Sequence, residues 1–412
     1  MSLGLPYGLR ESGGDGMGVD LPRMRAYRLG RLREQLKVHD CAAGVLFDPV
    51  NIRYATDSRN MSVWCLHTPV RYCFVPLDGP VVLFEVGGSE HLASGLECVD
   101  EVRPATSWVF FSSGARVGEH AASWAAEIAD LVNSYGGGNR RLVIDRCDIT
   151  GYRALSRHGI TVLEGQGLLE RARSVKSGDE IECMAQSLAV AELGITRMRE
   201  AVTPGMTEQA LWALLHQTNI EHGGEWIETR LLSSGERTNP WMQECSGRII
   251  EDGDLVSFDT DLIGPYGYCA DISRAFLAGP HTPSTTQREL YQLAREQLEH
   301  NIALLRPGIG FRDLAQNAWP IPSRFVDNRY SCVLHGVGLC DEYPNVAHWH
   351  DFAEKGYDGE LEADMTVCVE SYIGEAGGEE GVKLEQQVRL TGAGVELMSH
   401  YPFETDFLGR EV

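Results

Sequence analysis

One unit, used twice, restricts this chain more than anything else in it: a long stretch of helical apolar periodicity, a Pro-Gly stop and a shorter helix. In the first copy Ser177 stands as N-cap with Glu180 three residues on, a capping box, and Ile181, Met184, Leu188, Ala191, Ile195 and Met198 repeat along one helix face. VTPGM ends that helix, because proline has no amide to donate and glycine accepts the turn. Thr207 then caps a second helix carrying Leu211, Leu214 and Leu215. About a hundred residues later Gln287 to Leu305 is helical by period, RPGIG at 306–310 stops it, and FRDLAQNA begins another short helix. VTPGMTEQAL against LRPGIGFRDL reads as an internal repeat, which predicts a domain of two α/β halves, each a helix pair feeding a sheet.

Upstream of Arg173 the pattern differs. The first ~20 residues are Gly-rich and polar and are expected to form a loose arm. Leu21 to Val38 reads as a helix, and AGVLFD at 43–48, RYCFVPL at 71–77, PVVLFEV at 80–86 and RLVID at 141–145 are short apolar runs bounded by Gly, Pro and Asp. Helical stretches at 117–133 and 150–157 alternate with them, the pattern of an α/β domain with a mixed sheet. The chain of 412 residues therefore divides into two domains, 1–172 and 173–412.

The formal charge of -23 disfavours nucleic acid and anionic membrane surfaces, both of which need clustered Lys and Arg; a small zwitterionic or cationic substrate is easier to accommodate. Eleven scattered cysteines without a CxxC pair suit a reducing compartment. With no export signal at the N-terminus and no run of ~18 apolar residues, a cytoplasmic location is expected.

The stretch DGDLVSFDTDLIGPYGYCADISRAF, 252–276, is the most informative for chemistry. Asp259 and Asp261 lie two apart on an expected strand and should share a face; Asp271 follows on the next strand after a Gly-Pro-Tyr-Gly turn. Three converging carboxylates repel one another unless cations neutralise them. A solvated acidic hairpin is the plain alternative, but the flanks LVSF and ISRAF are apolar and turn the acids inward. LHGVGLCDEYP at 334–344, TVCVES at 366–371 and GVKLEQQVRL at 381–390 each add one potential ligand, His335, Glu370 and Glu385. One imidazole among several carboxylates suits iron, manganese, cobalt or zinc at a catalytic site rather than a thiolate-rich structural zinc, and so much negative charge calls for two cations.

Asp259, Asp271, His335, Glu370 and Glu385, in these contexts, resemble the five-ligand motif of the creatinase, prolidase and methionine aminopeptidase superfamily. VKSGDEIECM, PGMTEQAL, GDLVSFD, DISRAF, HGVG and KLEQQV all look like its segments, and NIRYATDS resembles its creatinase-type N-terminal domain. The resemblance implies a creatinase-like α/β domain followed by a pita-bread metal-binding domain, and a homodimer. Three departures stand out. Trp241 and Met242 occupy the region where the peptidases place a substrate-binding histidine, Asp341 falls where they carry a proton-shuttling histidine, and Asp261 is an extra acid between the first two ligands.

This combination resembles the DddP-type branch of dimethylsulfoniopropionate lyases. It implies cleavage of that sulfonium zwitterion to dimethyl sulfide and acrylate at a two-metal site, with iron the favoured metal. The ligands would then be Asp259, Asp261, Asp271, His335, Glu370 and Glu385, and the base Asp341. Such an elimination removes a weakly acidic proton beside a carboxylate, so Lewis acids must stabilise the developing enolate and a base must sit next to that carbon. The sulfonium leaves without a general acid and can rest against aromatic faces; Tyr330 and Trp241 are the candidates, with ordinary packing the alternative for both. A hydrolase of the Xaa-Pro peptidase or dipeptidase kind is the competing expectation, and a metal-free binding module the third.

Overall fold

The computed structural model describes residues 18–408, so most of the expected N-terminal arm lies outside the described residues. The chain forms two compact units, one spanning Asp20–Arg173 and the other running from Ser174 onward.

The first unit is a six-stranded mixed sheet in the order Glu101–Pro104, Val82–Glu85, Tyr72–Pro76, Ala43–Leu46, Arg141–Ile144, Thr161–Glu164. The strands Ala43–Leu46, Tyr72–Pro76 and Val82–Glu85 are buried at every position, because helices cover both sheet faces and leave no polar side. Tyr72 and Phe74 pack with Trp124 and Ile128 of the helix Val117–Tyr135. Cys73 and Val75 turn the other way, toward Leu32 and Leu36 of the helix Leu21–Val38. The edge strands Glu101–Pro104 and Thr161–Glu164 escaped the sequence reading because they are half-exposed and polar, with no apolar run to mark them.

In the second unit the repeat takes shape as expected. The helix Gly178–Ala201 opens on the Ser177–Glu180 capping box and packs on Glu208–Glu221, and Thr285–Leu304 precedes Phe311–Asn317. Both Pro-Gly stops place the glycine in the left-handed region, Gly205 at φ 95 and Gly308 at φ 81, where a Cβ would be strained. The third helix also opens on a capping box, Ser284 with Gln287, an S-x-x-Q pattern in the sequence. The first helix pair covers a three-stranded sheet, Leu232–Ser234, Leu255–Phe258 and Arg274–Leu277. Thr285–Leu304 covers a five-stranded antiparallel sheet ordered Asp341–Val346, Leu334–Val337, Thr366–Gly374, Gly381–Thr391, Gly394–Leu397. The two sheets are tied where the Arg274 guanidinium donates to the Glu385 carbonyl at 2.8 Å and the Asp271 amide donates to Gln387 Oε1 at 3.0 Å.

No disulfide forms among the described residues, and none of their helices is long and apolar enough to cross a membrane.

His348, just beyond the Asp341–Val346 strand, is buried, its Nε2 has no hydrogen-bond partner among the described residues, and burial lowers its pKa to about 4. The unfolded chain binds a proton near pH 6.5 that the folded chain refuses until near pH 4, so stability present above 6.5 is lost as pH falls. Between pH 7 and pH 5 this costs about 2 kcal/mol. We expect His348→Gln to flatten the pH dependence of the unfolding free energy, read from denaturant titrations, by about that amount; equal slopes in the two proteins would exclude the assignment.

Candidate metal centre

The acidic stretch does not form the uninterrupted hairpin expected of it. Its strand stops at Phe258 and resumes as Leu262–Ile263, and Asp259 to Asp261 lie in the break between, so period-two alternation does not place them. Asp261 has φ 37, a left-handed conformation that aspartate tolerates better than most residues. Thr260 repairs the missing ladder: its hydroxyl donates to the Ala270 carbonyl at 2.8 Å and accepts from the Ile272 amide at 3.0 Å. The local break nonetheless delivers what alternation had predicted, both acids buried on the inner side. Ser273 Oγ donates to Asp259 Oδ1 at 2.6 Å, Thr229 donates to Asp261 Oδ2, and the Asp261 amide donates to Asp271 Oδ1 at 3.2 Å.

The other candidates arrive on the five-stranded sheet. Glu370 and Glu385 are direct cross-strand partners, and His335 pairs with Cys368, two residues from Glu370 on the same strand face. His335 Nε2 lies 3.1 Å from Glu370 Oε1, 3.6 Å from Asp271 Oδ2 and 3.7 Å from Glu385 Oε1. Its Nδ1 lies 3.0 Å from the Gly336 carbonyl, which can only accept, so Nδ1 carries a proton and Nε2 is the nitrogen turned toward the carboxylates.

Two groups of ligand atoms, each within 4.8 Å of one another, result among the described residues: Asp271, His335, Cys368 and Glu385 form one, Asp259, Asp261 and Asp271 the other. Asp271 belongs to both. Sequence reasoning missed Cys368, although its place two residues before Glu370 on a strand was the available signal. It also missed Lys383, two residues before Glu385, whose Nζ lies 3.0 Å from Asp259 Oδ2, 2.7 Å from Glu370 Oε2 and 3.1 Å from Glu385 Oε2.

Buried carboxylates outnumber cationic side chains five to two here: Asp259, Asp261, Asp271, Glu370 and Glu385 against Lys383 and His335. Burial and the neighbouring negative charges hold Asp261, Asp271 and Glu385 well above the usual carboxylate range. Burial opposes the charge on Lys383, yet Asp259, Glu370 and Glu385 prevail and raise its pKa; burial likewise pushes Asp259 up, but Lys383 brings it below its ordinary value. His335 is raised because Asp341 and Glu370 outweigh the effect of burial. An excess of buried negative charge, with Glu385 Oε1 lacking any hydrogen-bond partner among the described residues, fits divalent cations at oxygen and imidazole donors.

Asp341 begins its strand at the edge of this cluster, with its side chain 55% exposed and Oδ1 3.6 Å from His335 Nδ1. Partial burial, with Asp259, Glu370 and Glu342 nearby, raises its proton affinity, and His335 acts against that. The Tyr330 ring carries the Lys383 ammonium 4.7 Å from its centroid. Trp241 is buried against Tyr372, ring centroids 6.1 Å apart, and its Nε1 has no hydrogen-bond partner among the described residues.

Residues 182–392 match the family model "Metallopeptidase family M24". The fold is similar to that of solved structures. An Xaa-Pro dipeptidase from Bacillus anthracis superposes with a TM-score of 0.73 at 20% identity, covering 92% of this chain and 99% of that one. An X-Pro aminopeptidase from Thermotoga maritima gives 0.72 at 19%, covering 91% and 98%. The chain belongs to metallopeptidase family M24. Within it, the sequence is 41% identical over 396 residues to the dimethylsulfoniopropionate lyase DddP of Roseovarius nubinhibens, covering 95% of this chain and 89% of that one. It is 40% identical to the DddP of Roseobacter denitrificans over the same shares of the two chains.

Proposed function

We propose that the protein is a metal-dependent carbon-sulfur lyase that cleaves dimethylsulfoniopropionate to dimethyl sulfide and acrylate. Likeness to the DddP lyases over nearly the full chain is the observation that carries this reading. The carboxylate Asp341 at the mouth of the buried cluster adds to it.

Asp259, Asp261, Asp271, His335, Glu370 and Glu385 are the proposed ligands of two divalent ions, iron first among the candidates, with manganese, cobalt and zinc behind it. Bound there, the ions supply Lewis acidity toward the substrate carboxylate. Asp341 takes the proton from the carbon next to that carboxylate, the electron pair of that C–H bond forms the double bond of acrylate, and the C–S bond breaks with its electrons on sulfur. Positive charge on the sulfonium is thereby cancelled, so no acid is required at the leaving group. The exposure of Asp341 lets it return its proton to water after each turnover.

Tyr330 is the proposed rest for the sulfonium. Because Lys383 holds a cation against its ring, the sulfonium must use the remaining face. Trp241, packed on Tyr372, is the second candidate. We expect Tyr330→Leu to raise KM about tenfold with a smaller change in kcat, and Tyr330→Phe, which keeps the ring, to stay within about threefold of wild type. Equal KM values for the Leu and Phe variants would remove Tyr330 from this role.

Residues 1–172 are the proposed creatinase-like domain and 173–412 the catalytic one. The working form is proposed to be a homodimer in the cytoplasm, and a monomeric mass at full activity would exclude the dimer. The decisive assay supplies the metal-loaded protein with dimethylsulfoniopropionate and measures headspace dimethyl sulfide and acrylate, beside Xaa-Pro dipeptides. Equimolar sulfide and acrylate without peptide hydrolysis is expected; peptide hydrolysis alone would make the protein a hydrolase.

A further inference from the structure

The ammonium of Lys383 sits inside the proposed ligand set with every direction taken. It is fully buried, lies within 3.1 Å of oxygens of Asp259, Glu370 and Glu385, donates to Ser273 Oγ at 2.7 Å and is capped by the Tyr330 ring. The contacts divide the carboxylates by oxygen. Glu370 and Glu385 each turn Oε2 to the ammonium and Oε1 toward His335 Nε2, while Asp259 turns Oδ2 to Lys383 and Oδ1 to Ser273. One oxygen of each glutamate is thus fixed by a resident cation, and the other is left facing the imidazole. Of the carboxylate ligands, Asp261 and Asp271 are the two that the ammonium does not hold within ion-pair distance. No ordinary packing requirement puts a four-carbon cation there; an apolar side chain would fill the same buried strand position at lower desolvation cost.

We propose that Lys383 is a positioning residue, an internal counter-cation that holds Asp259, Glu370 and Glu385 folded in their ligating orientation while the metal ions are absent. The inference rests on the ligand assignment above and concerns the ion-free protein. Without a cation, three carboxylates crowded at this spacing would repel, and at least one would swing out of the cluster. With Lys383 in place the site persists empty and keeps Glu370 Oε1, Glu385 Oε1 and His335 Nε2 assembled for an incoming ion. Removing one partner of a buried ion-pair network leaves charge unpaired, and its cost falls on whichever state lacks another cation to replace it. Ion-loaded protein has such a replacement; ion-free protein does not.

The test compares melting temperatures of wild type, Lys383→Met and Lys383→Arg after chelation and after saturation with Co2+, with the visible Co2+ spectrum as a measure of ligand geometry. Lys383→Met is expected to melt roughly 10 °C below wild type when ion-free and within a few degrees of it when loaded. Lys383→Arg, which keeps a cation, should recover most of the ion-free loss. If Lys383→Met is too unstable to isolate ion-free, its unfolding on chelation at a temperature where chelated wild type stays folded is the same result. Equal losses in both states, or no loss in either, would overturn the inference. Failure of Co2+ to stabilise wild type would instead count against the ligand assignment, so the two failures are told apart.

Discussion

Asp341→Asn is expected to lower turnover on dimethylsulfoniopropionate by about two to four orders of magnitude while metal content and KM stay near wild type, the signature of a lost general base. The substitution keeps size and shape and removes only the proton acceptor. A rival role deserves separation, because Asp341 Oδ1 lies 3.6 Å from His335 Nδ1 and could orient that ring as an outer partner of the metal site. The geometry already weighs against it: the Nδ1 proton is spoken for by the Gly336 carbonyl at 3.0 Å. If Asp341 were the orienting group, its loss would lower ion affinity by about 10- to 100-fold and leave normal activity per bound ion. Metal analysis beside headspace sulfide measurement distinguishes the two, and near wild-type release of sulfide would end the assignment of the base. Asp341→His adds a second check. A peptidase lacking only its shuttle would gain Xaa-Pro hydrolysis from this change, whereas a lyase with Trp241 and Met242 in place of the other peptidase histidine gains none.

The contrast between Asp341 and Lys383 explains what the sequence could disclose about this site. Helix ends, Pro-Gly stops and apolar periodicity are local, so the helices Gly178–Ala201 and Thr285–Leu304 were readable to within a few residues. The acids were readable too, because unneutralised charge within apolar flanks is anomalous wherever it occurs. The break at Asp259 to Asp261 was not, since it depends on Thr260 bonding Ala270 and Ile272 about ten residues away. Lys383 looked like an ordinary charged residue on a strand. Its meaning comes from Asp259, brought beside it across 124 residues of chain by the pairing of two sheets. Cys368 was hidden in the same way, its partner His335 lying on a neighbouring strand.

Asp271 should give the other large effect, and it separates function from stability. It is the one residue common to both groups of ligand atoms, so Asp271→Asn is expected to take metal content from about two ions per chain to below one and lyase activity below detection. Asp261→Ala, which touches one group only and is otherwise held by Thr229, should cost at most one ion and leave measurable turnover. Stability should move the opposite way. Burial and the charges of Glu385, Asp261 and Asp259 raise the proton affinity of Asp271 well above that of an exposed aspartate, so carrying this carboxyl into the folded, ion-free protein costs stability at neutral pH. A neutral amide relieves that repulsion, and ion-free Asp271→Asn should melt at or above ion-free wild type even as the metal-induced rise in melting temperature disappears. A variant that lost activity because it misfolded would melt lower in both states. Retention of two ions by Asp271→Asn would show that the two groups do not depend on this shared carboxylate.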